Sequence, residues 1–241
     1  FQGYRLFAVA GSDLRLPSDP TNDFSLIRNA EGQKQYNLAH LNAMFDLMSK
    51  VYVDATMQGK KGMNEHSALV SMIDRSNIPG KVIVLMDRGY ESFNNIAHLQ
   101  EKGWNFIIYT DLDTETFPVE KIKELYRLRW GIETSFRELK YIIGLSCLHG
   151  KKTDFSLQEV FARLIFYNYA SLIARQVPAP QGKQINFSVA ILACKQFLKG
   201  KIRSAQIFEI LSMHLSPIRP GRQYKRYQNP VSAVAFQYRL S

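Results

Sequence analysis

Tyr126, Arg129, Glu133 and Lys140, within YRLRWGIETSFRELK, follow one another at intervals of three, four and seven residues. On an α-helix those intervals return to one side, so a carboxylate, two cations and a phenol share a single stripe. A carboxylate in such company suits a group that holds a divalent ion while facing the phosphate backbone of a nucleic acid. Hard ions such as Mg²⁺ need further oxygen ligands, and Asp87, which ends the apolar run VIVLMD, supplies a second acid. Ions held between converging acids perform phosphodiester chemistry: they activate a water or a 3′ hydroxyl and stabilise the leaving oxygen of an in-line displacement. Each acid also has a plainer reading. Asp87 reads as the cap of a turn or helix, and Glu133 as half of a solvated salt bridge. Their occurrence together with the basic stripe favours the chemical reading.

Positioning these residues requires a strand for one acid and a packed helix for the other. VIVLM (Val82 to Met86) is nearly all apolar, which predicts a central strand covered on both faces, with Asp87 at its C-terminal end. Pro118 opens a long helical region whose apolar positions Ile122, Leu125, Leu128, Ile132, Phe136, Leu139 and Ile143 recur at three or four. That continuous apolar face aims Glu133 toward the sheet edge, and Gly131 is expected to bend or divide the helix. Tyr4 to Val9 reads as an opening strand, followed by a turn-rich exit from Gly11 to Pro20. Asn42–Leu47 and Lys50–Thr56 read as two strands around a hairpin at Met48 and Ser49, although LNAMFDLM also fits a helix. Glu65 to Arg75 and Ser92 to Lys102 are expected helices, and WNFIIYT a strand. Further helices are expected at Ser156–Arg175, Phe187–Leu198 and Ser204–Leu215. Strands first and helices later predict a mixed sheet with one helical layer.

The 241 residues suffice for a buried core, in one domain or one domain with an appendage. A hydrophobic share of 46% excludes a disordered chain. With 31 basic and 21 acidic residues, the net charge of +10 favours an anionic partner. Nucleic acid comes before a membrane surface, because no basic amphipathic helix and no apolar stretch of membrane length is present. Cys147 and Cys194 are far apart and unaccompanied, which reads as two reduced structural cysteines in a cytoplasmic protein. The chain opens without Met almost directly in a strand, like the inner part of a longer protein.

The pattern Tyr126-x2-Arg129-x3-Glu133-x6-Lys140 resembles the signature of the DDE-type transposases of bacterial insertion sequences, the branch with a ribonuclease H-like catalytic domain. VLMDRGYESFNNIAHLQEKGWNF resembles the segment that carries this family's second catalytic Asp, here Asp87. Weaker likeness runs through NLAHLNAMFDL, VYVDATMQGKKGMNEHSAL and LHGKK to the terminal VAFQYRL, so it covers essentially the whole chain. The resemblance implies an α/β fold with a ribonuclease H-like mixed five-stranded sheet, flanking helices and a C-terminal helical extension. It implies a catalytic core over residues 1–150, the extension over 151–218, and a basic tail over 219–241 holding Arg219, Arg222, Lys225 and Arg226. It makes Asp87 and Glu133 catalytic metal ligands for Mg²⁺ or Mn²⁺, two ions in an intact member. Tyr126, Arg129 and Lys140 become DNA contacts, with Arg88 and Arg137 as further basic candidates. Lys151 and Lys152, beside His149, read equally as DNA contacts or as a solvated loop. Trp130 reads as core or interface before base stacking. The implied partners are duplex DNA bearing transposon terminal inverted repeats, target DNA, and a second copy of the chain on DNA. The expected location is the bacterial cytoplasm, at the nucleoid.

The chain departs from the family in two places. The family's first acid ends the opening strand in a form like VDGSxLRLP, whereas VAGSDLRLP places Ala10 there. Alanine offers no oxygen. Asp13 stands three residues further along, beyond reach of the ions. In the sheet order that the resemblance implies, Asp54 belongs to a strand three places from that of Asp87, about 14 Å away at about 4.8 Å per strand. Second, a β-rich insertion common between the second Asp and the Glu is absent near residues 107–112, through a compact form or a missing segment. The sequence therefore reads as a transposase catalytic domain impaired by Ala10. A domesticated or decayed transposase kept as a DNA-binding protein, and a ribonuclease H-like nuclease, are the alternatives.

Overall fold

The computed structural model describes residues 1–27, 35–108 and 115–218. The expected tail over 219–241 and most of the expected insertion point lie outside those residues.

The first strand, β1 (Tyr4–Leu16), alternates between two apolar environments. Leu6, Ala8, Ala10, Leu14 and Leu16 contribute to the clusters on one face, and Phe7 and Val9 to the cluster on the other. A strand covered on both faces needs no polar alternation, which is why its sequence reads as a nearly continuous apolar run. It also runs well past the expected end at Val9. Gly11 to Leu16 continue the antiparallel ladder with β3 (Tyr36–Asp46), and Leu14 and Leu16 are buried. The expected turn-rich exit is therefore strand up to Leu16.

LNAMFDLM resolves as strand through Asp46, not helix. β3 turns into β4 (Val51–Gly59), where the Asp46 carboxylate accepts from the backbone N–H groups of Met48 and Ser49 at 3.0 and 2.9 Å. Hydrogen bonds of this kind fix a tight turn. A bulge near Met44 and Phe45 interrupts the β3–β4 ladder, and the Asn168 side chain bonds both the N–H and the C=O of Tyr52 there, each at 2.7 Å. β5 (Lys81–Leu85) and β6 (Asn105–Ile107) add in parallel beyond β1. The order is β4-β3-β1-β5-β6, with β2 (Leu26–Ile27), two residues long, also paired to β3. Five principal strands match the expected number, and β2 is a sixth, short one.

Helices cover both faces, correcting the expected single layer. α1 (Glu65–Asp74) and α2 (Phe93–Glu101) cover the face of Phe7, Val9, Val82 and Val84. α3 (Val119–Leu128) covers Leu6, Ile83 and Leu85 on the other face. Beside it lie α4 (Trp130–Glu138) and α5 (Thr153–Gln176), packed on Ala8, Ala10 and Ala43. The physical reason was present in VIVLM itself, since a strand apolar on both sides requires two covers. α6 (Phe187–Leu198) and α7 (Ser204–Met213), with the ribbon of β7 (Lys183–Ile185) and β8 (Leu215–Pro217), form a further cluster around Ala190, Ala193, Ile207 and Leu211. Among the described residues no helix is long and apolar enough to cross a membrane.

The helix that carries the polar stripe divides at Arg129, two residues before the expected Gly131. Gly131 serves a different purpose: a Cβ there would stand 2.7 Å from Leu47 Cδ2, so its absence lets α4 approach the sheet. After Glu138 the chain widens into a π-helical turn over Leu139–Ile143, ended by Gly144 at φ 95°. Ile132, Phe136 and Leu139 are the residues that press this helical stretch onto the sheet. Ile132→Ala, at a fully buried position, is expected to lower the unfolding free energy by about 2–5 kcal/mol. The reading is a lower urea midpoint with an unchanged m-value; an unmoved midpoint would mean that α4 is not anchored there.

Candidate active site

The site begins with strand register. β1 and β5 run parallel with Ala8 opposite Leu85, where β5 ends. Two residues further along each chain come Ala10 and Asp87, and the period of two keeps them on the face covered by α3 and α4. Asp87 caps the short 3₁₀ turn Arg88–Tyr90, its Oδ1 accepting from the Gly89 N–H at 2.8 Å. α4 approaches this edge from above and brings Glu133. Ala10, Asp87 and Glu133 line one cleft of about 450 Å³. The cleft is completed by Gly11 and Ser12 from β1, Glu65 from α1, Tyr90, and Arg129, Phe136, Arg137, Lys140 and Tyr141 from the stripe.

Charge is distributed in opposed groups. The Arg129 guanidinium contacts Glu133 at 3.2 Å and lies over the Tyr126 ring at 5.4 Å and the Trp130 ring at 5.7 Å. Packed in this way, Arg129 is only 7% exposed. Its Nε and the Tyr90 hydroxyl are buried without a hydrogen-bond partner among the described residues. Burial, followed by the charges of Glu65 and Asp87, raises the Tyr90 phenol far above its ordinary value, so it stays protonated. Lys140 donates to the backbone carbonyl of Asp13 at 3.0 Å, and burial holds its ammonium below the usual lysine value against the pull of Asp13.

The expected site residues divide into two groups. Ala10, Asp87, Glu133, Arg129, Arg137 and Lys140 line the cleft. Tyr126, Arg88, Lys151 and Lys152 do not. Tyr126 supports Arg129 and packs against the Leu6 cluster, while Arg88 is exposed on its turn. Lys151 and Lys152 are exposed before α5, and the neighbouring His149 pairs with Glu159 at 2.9 Å. Asp54 is held by Arg75 through two bonds of 2.7 and 2.6 Å. Its strand β4 lies three places from β5, as the sheet order required. Asp13 faces away from Asp87 and bonds His40 and Lys60. Trp130 is 44% exposed and lines a larger cleft of about 790 Å³ on the other side of α4, in which neither Asp87 nor Glu133 takes part. Sequence reading missed Glu65 and Tyr90. The sequence signal for Tyr90 was its place in DRGY directly after Asp87, and for Glu65 its place in the first turn of α1.

A divalent ion of the magnesium type needs several converging oxygen ligands. Asp87 and Glu133 supply two carboxylates, and position 10 supplies a methyl group. Among the described residues no group of three or more Asp, Glu, His or Cys is arranged to hold an ion. The residues present do not fit a two-ion centre.

Comparison with known proteins gives a consistent family. The model of the family described as the transposase DDE domain matches residues 1–169. The chain is similar to the putative transposase InsL of insertion sequence element IS186A of Escherichia coli K12, 30% identical over 69 residues. It is equally similar to the transposase of insertion sequence element IS421 of Escherichia coli. The matched segment spans 29% of this chain and 19% of each relative. Among solved structures, the piggyBac transposase synaptic complex with hairpin DNA superposes with a TM-score of 0.51. That match covers 95% of this chain and 61% of the other, at 9% identity, a likeness of fold.

The site's edge carries a pH signature. Burial alone would raise Asp13, but its bonds to His40 and Lys60 outweigh that and hold the carboxyl below its ordinary value of 3.8. A group whose folded pKa is depressed contributes stability above its unfolded value, and loses it as pH falls through the folded one. Asp13→Asn is therefore expected to lower the urea midpoint at about pH 6, with the gap from the parent closing between about pH 4 and pH 2. A gap unchanged across that range would remove Asp13 from the ionic account.

Proposed function

The chain belongs to the transposase DDE domain family, and from that premise we propose that it is the catalytic domain of a DNA transposase, impaired at its first acidic position. One observation carries this reading: Ala10, Asp87 and Glu133, three positions far apart in sequence, line a single cleft whose remaining charge is Arg129, Arg137, Lys140 and Glu65. In an intact member the acids of such a cleft would hold Mg²⁺ or Mn²⁺ for cleavage at a transposon end and strand transfer to target DNA.

This chain's own residues account for binding. Arg137, exposed at the cleft, and Lys140 face a phosphate backbone, while Arg129, fixed over the rings of Tyr126 and Trp130, holds Glu133 in place. The Arg129 Nε and Tyr90 hydroxyl, buried and without a hydrogen-bond partner among the described residues, are donors that an anion drawn into the cleft could satisfy. The expected partners are duplex DNA with terminal inverted repeats, target DNA, and a second copy of the chain, because transposition joins two ends. The expected setting is the bacterial cytoplasm, on nucleoid DNA. The methyl group at position 10 favours a second reading, a transposase retained as a DNA-binding protein, in which affinity for the ends is kept and cleavage is absent.

Ala10→Asp tests both readings. With a matching end and Mg²⁺ or Mn²⁺, the substituted chain is expected to nick at least about a hundredfold faster than the parent. Adding Glu133→Gln should abolish the gain. Equal rates in parent and Ala10→Asp protein would sink the proposal. Affinity is expected to be salt-dependent, and Arg137→Ala should reduce the slope of log K against log salt by about 0.9, the value for one phosphate contact. An unchanged slope would take Arg137 out of the DNA interface.

A further inference from the structure

β1 outruns its parallel partner. Pairing with β5 ends at Leu85, so beyond Val9 one edge of β1 is open, and that open edge is what makes the cleft. A strand with one free edge opens more easily than a central strand. Yet this segment carries position 10, whose side chain must stand at a fixed place for acids to converge.

On the face of β1 opposite Asp87, His40 lies across the strand. Its Nδ1 is 2.5 Å from Asp13 Oδ1 and its Nε2 is 2.8 Å from Glu65 Oε1. The ring passes directly over Gly11: a Cβ built there would stand 2.1 Å from His40 Nε2 and 2.4 Å from Glu65 Oε1. No side chain is compatible with this contact, which explains a glycine in the middle of a strand. The His40 side chain is only 6% exposed, unlike a solvated surface pair. Glu65 is fixed in turn by the N-terminus of α1, where the Asn64 side chain accepts from the Ser67 N–H at 3.0 Å. Lys60, from the 3₁₀ turn Lys60–Gly62 after β4, bonds Asp13 Oδ1 at 2.9 Å, and Lys140 bonds the Asp13 carbonyl at 3.0 Å. The stretch from Gly11 to Asp13 is thus gripped by β3, α1, the Lys60 turn and the helical segment after α4.

We propose that Glu65 and His40 are positioning residues of the cleft, clamping β1 at Gly11 so that the side chain of residue 10 is presented at a fixed place beside Asp87. The clamp is a property of this fold, and its catalytic consequence rests on the transposase reading above.

Hydrogen–deuterium exchange on the chain as it stands tests the clamp without reference to activity. Glu65→Ala is expected to speed exchange of the amides of residues 10–14 about tenfold, with β5 and α4 unchanged. Glu65→Gln, whose carbonyl still accepts from His40 Nε2, should restore most of the protection. Gly11→Ala, which places a methyl where the pair meets, should reproduce the Glu65→Ala pattern. Unchanged exchange at 10–14 in both Glu65→Ala and Gly11→Ala overturns the proposal. So does a rise spread evenly over the whole chain in both, because the pair would then be general core support. In the Ala10→Asp background, Glu65→Ala should slow end cleavage about tenfold and raise the half-saturating Mg²⁺ concentration, with KM for DNA unchanged. A rate and metal requirement within twofold of the Ala10→Asp protein would overturn the catalytic consequence. Should Ala10→Asp itself fail to cleave, the functional reading falls, while the exchange result still decides the clamp.

Discussion

The parallel pairing of β1 with β5, and the point at which it stops, governs the geometry of this protein. Hydrogen bonding holds Ala8 opposite Leu85 and then ends, because β5 gives way to the Asp87 turn while β1 continues along β3. A register is a discrete quantity: a slip of one residue would turn Asp87 and position 10 to opposite faces of the sheet. The buried residues Phe7, Val9, Val82 and Val84 on one face and Leu6, Ala8, Ile83 and Leu85 on the other forbid that slip. The same core that stabilises the sheet therefore sets the distance relations of the cleft.

The second wall depends on the first. α4 bears its polar stripe, but a helix with one apolar face has only one way to lie on the sheet. Ile132, Phe136 and Leu139 occupy it by packing in the cluster with Ala8, Ala10 and Ala43. Small residues on the strands and the missing Cβ at Gly131 let the helix come close. Arg129, at the junction of α3 and α4, is then buried beside Tyr126 and Trp130 and contacts Glu133 at 3.2 Å. Two residues of the signature thus hold a third, so the stripe is partly an internal support. Tyr126 shows this most clearly, since it stands outside the cleft with its ring stacked against the guanidinium.

Much of this was legible in the sequence, and the exceptions have physical causes. Asp87 was readable because an apolar run long enough for a covered strand ended at an acid. Glu133 was readable because a 3.6-residue apolar period fixed which side of its helix was polar. The length of β1 was not, because Gly11, Ser12 and Asp13 have the local preferences of a turn, and only the ladder with β3 and the burial of Leu14 and Leu16 override them. Glu65 was hidden because it reaches the cleft from α1, bonding His40 on β3 across Gly11 on β1. Such a contact across three elements leaves no spacing to detect. The second helical layer was implied by VIVLM, apolar on both faces, whereas the order of strands before helices by itself suggests only one.

The methyl group at position 10 has a consequence for stability as well as chemistry. A carboxylate there would stand beside Asp87 and near Glu133, and two such charges about 4 Å apart at an effective dielectric of about 20 repel by about 4 kcal/mol. That repulsion is relieved when a cation occupies the space between them or when one carboxyl takes up a proton. Ala10 is 8% exposed and joins an apolar cluster with Ile132 and Phe136, so the site as it stands needs no ion to be stable. Sites built for chemistry commonly hold groups that the fold would sooner do without. An alanine at this position therefore packs as part of the apolar cluster and adds no charge beside Asp87. The register, the seat of α4 and the grip on Gly11 are all set by residues other than position 10, so none of them depends on whether that side chain carries an oxygen.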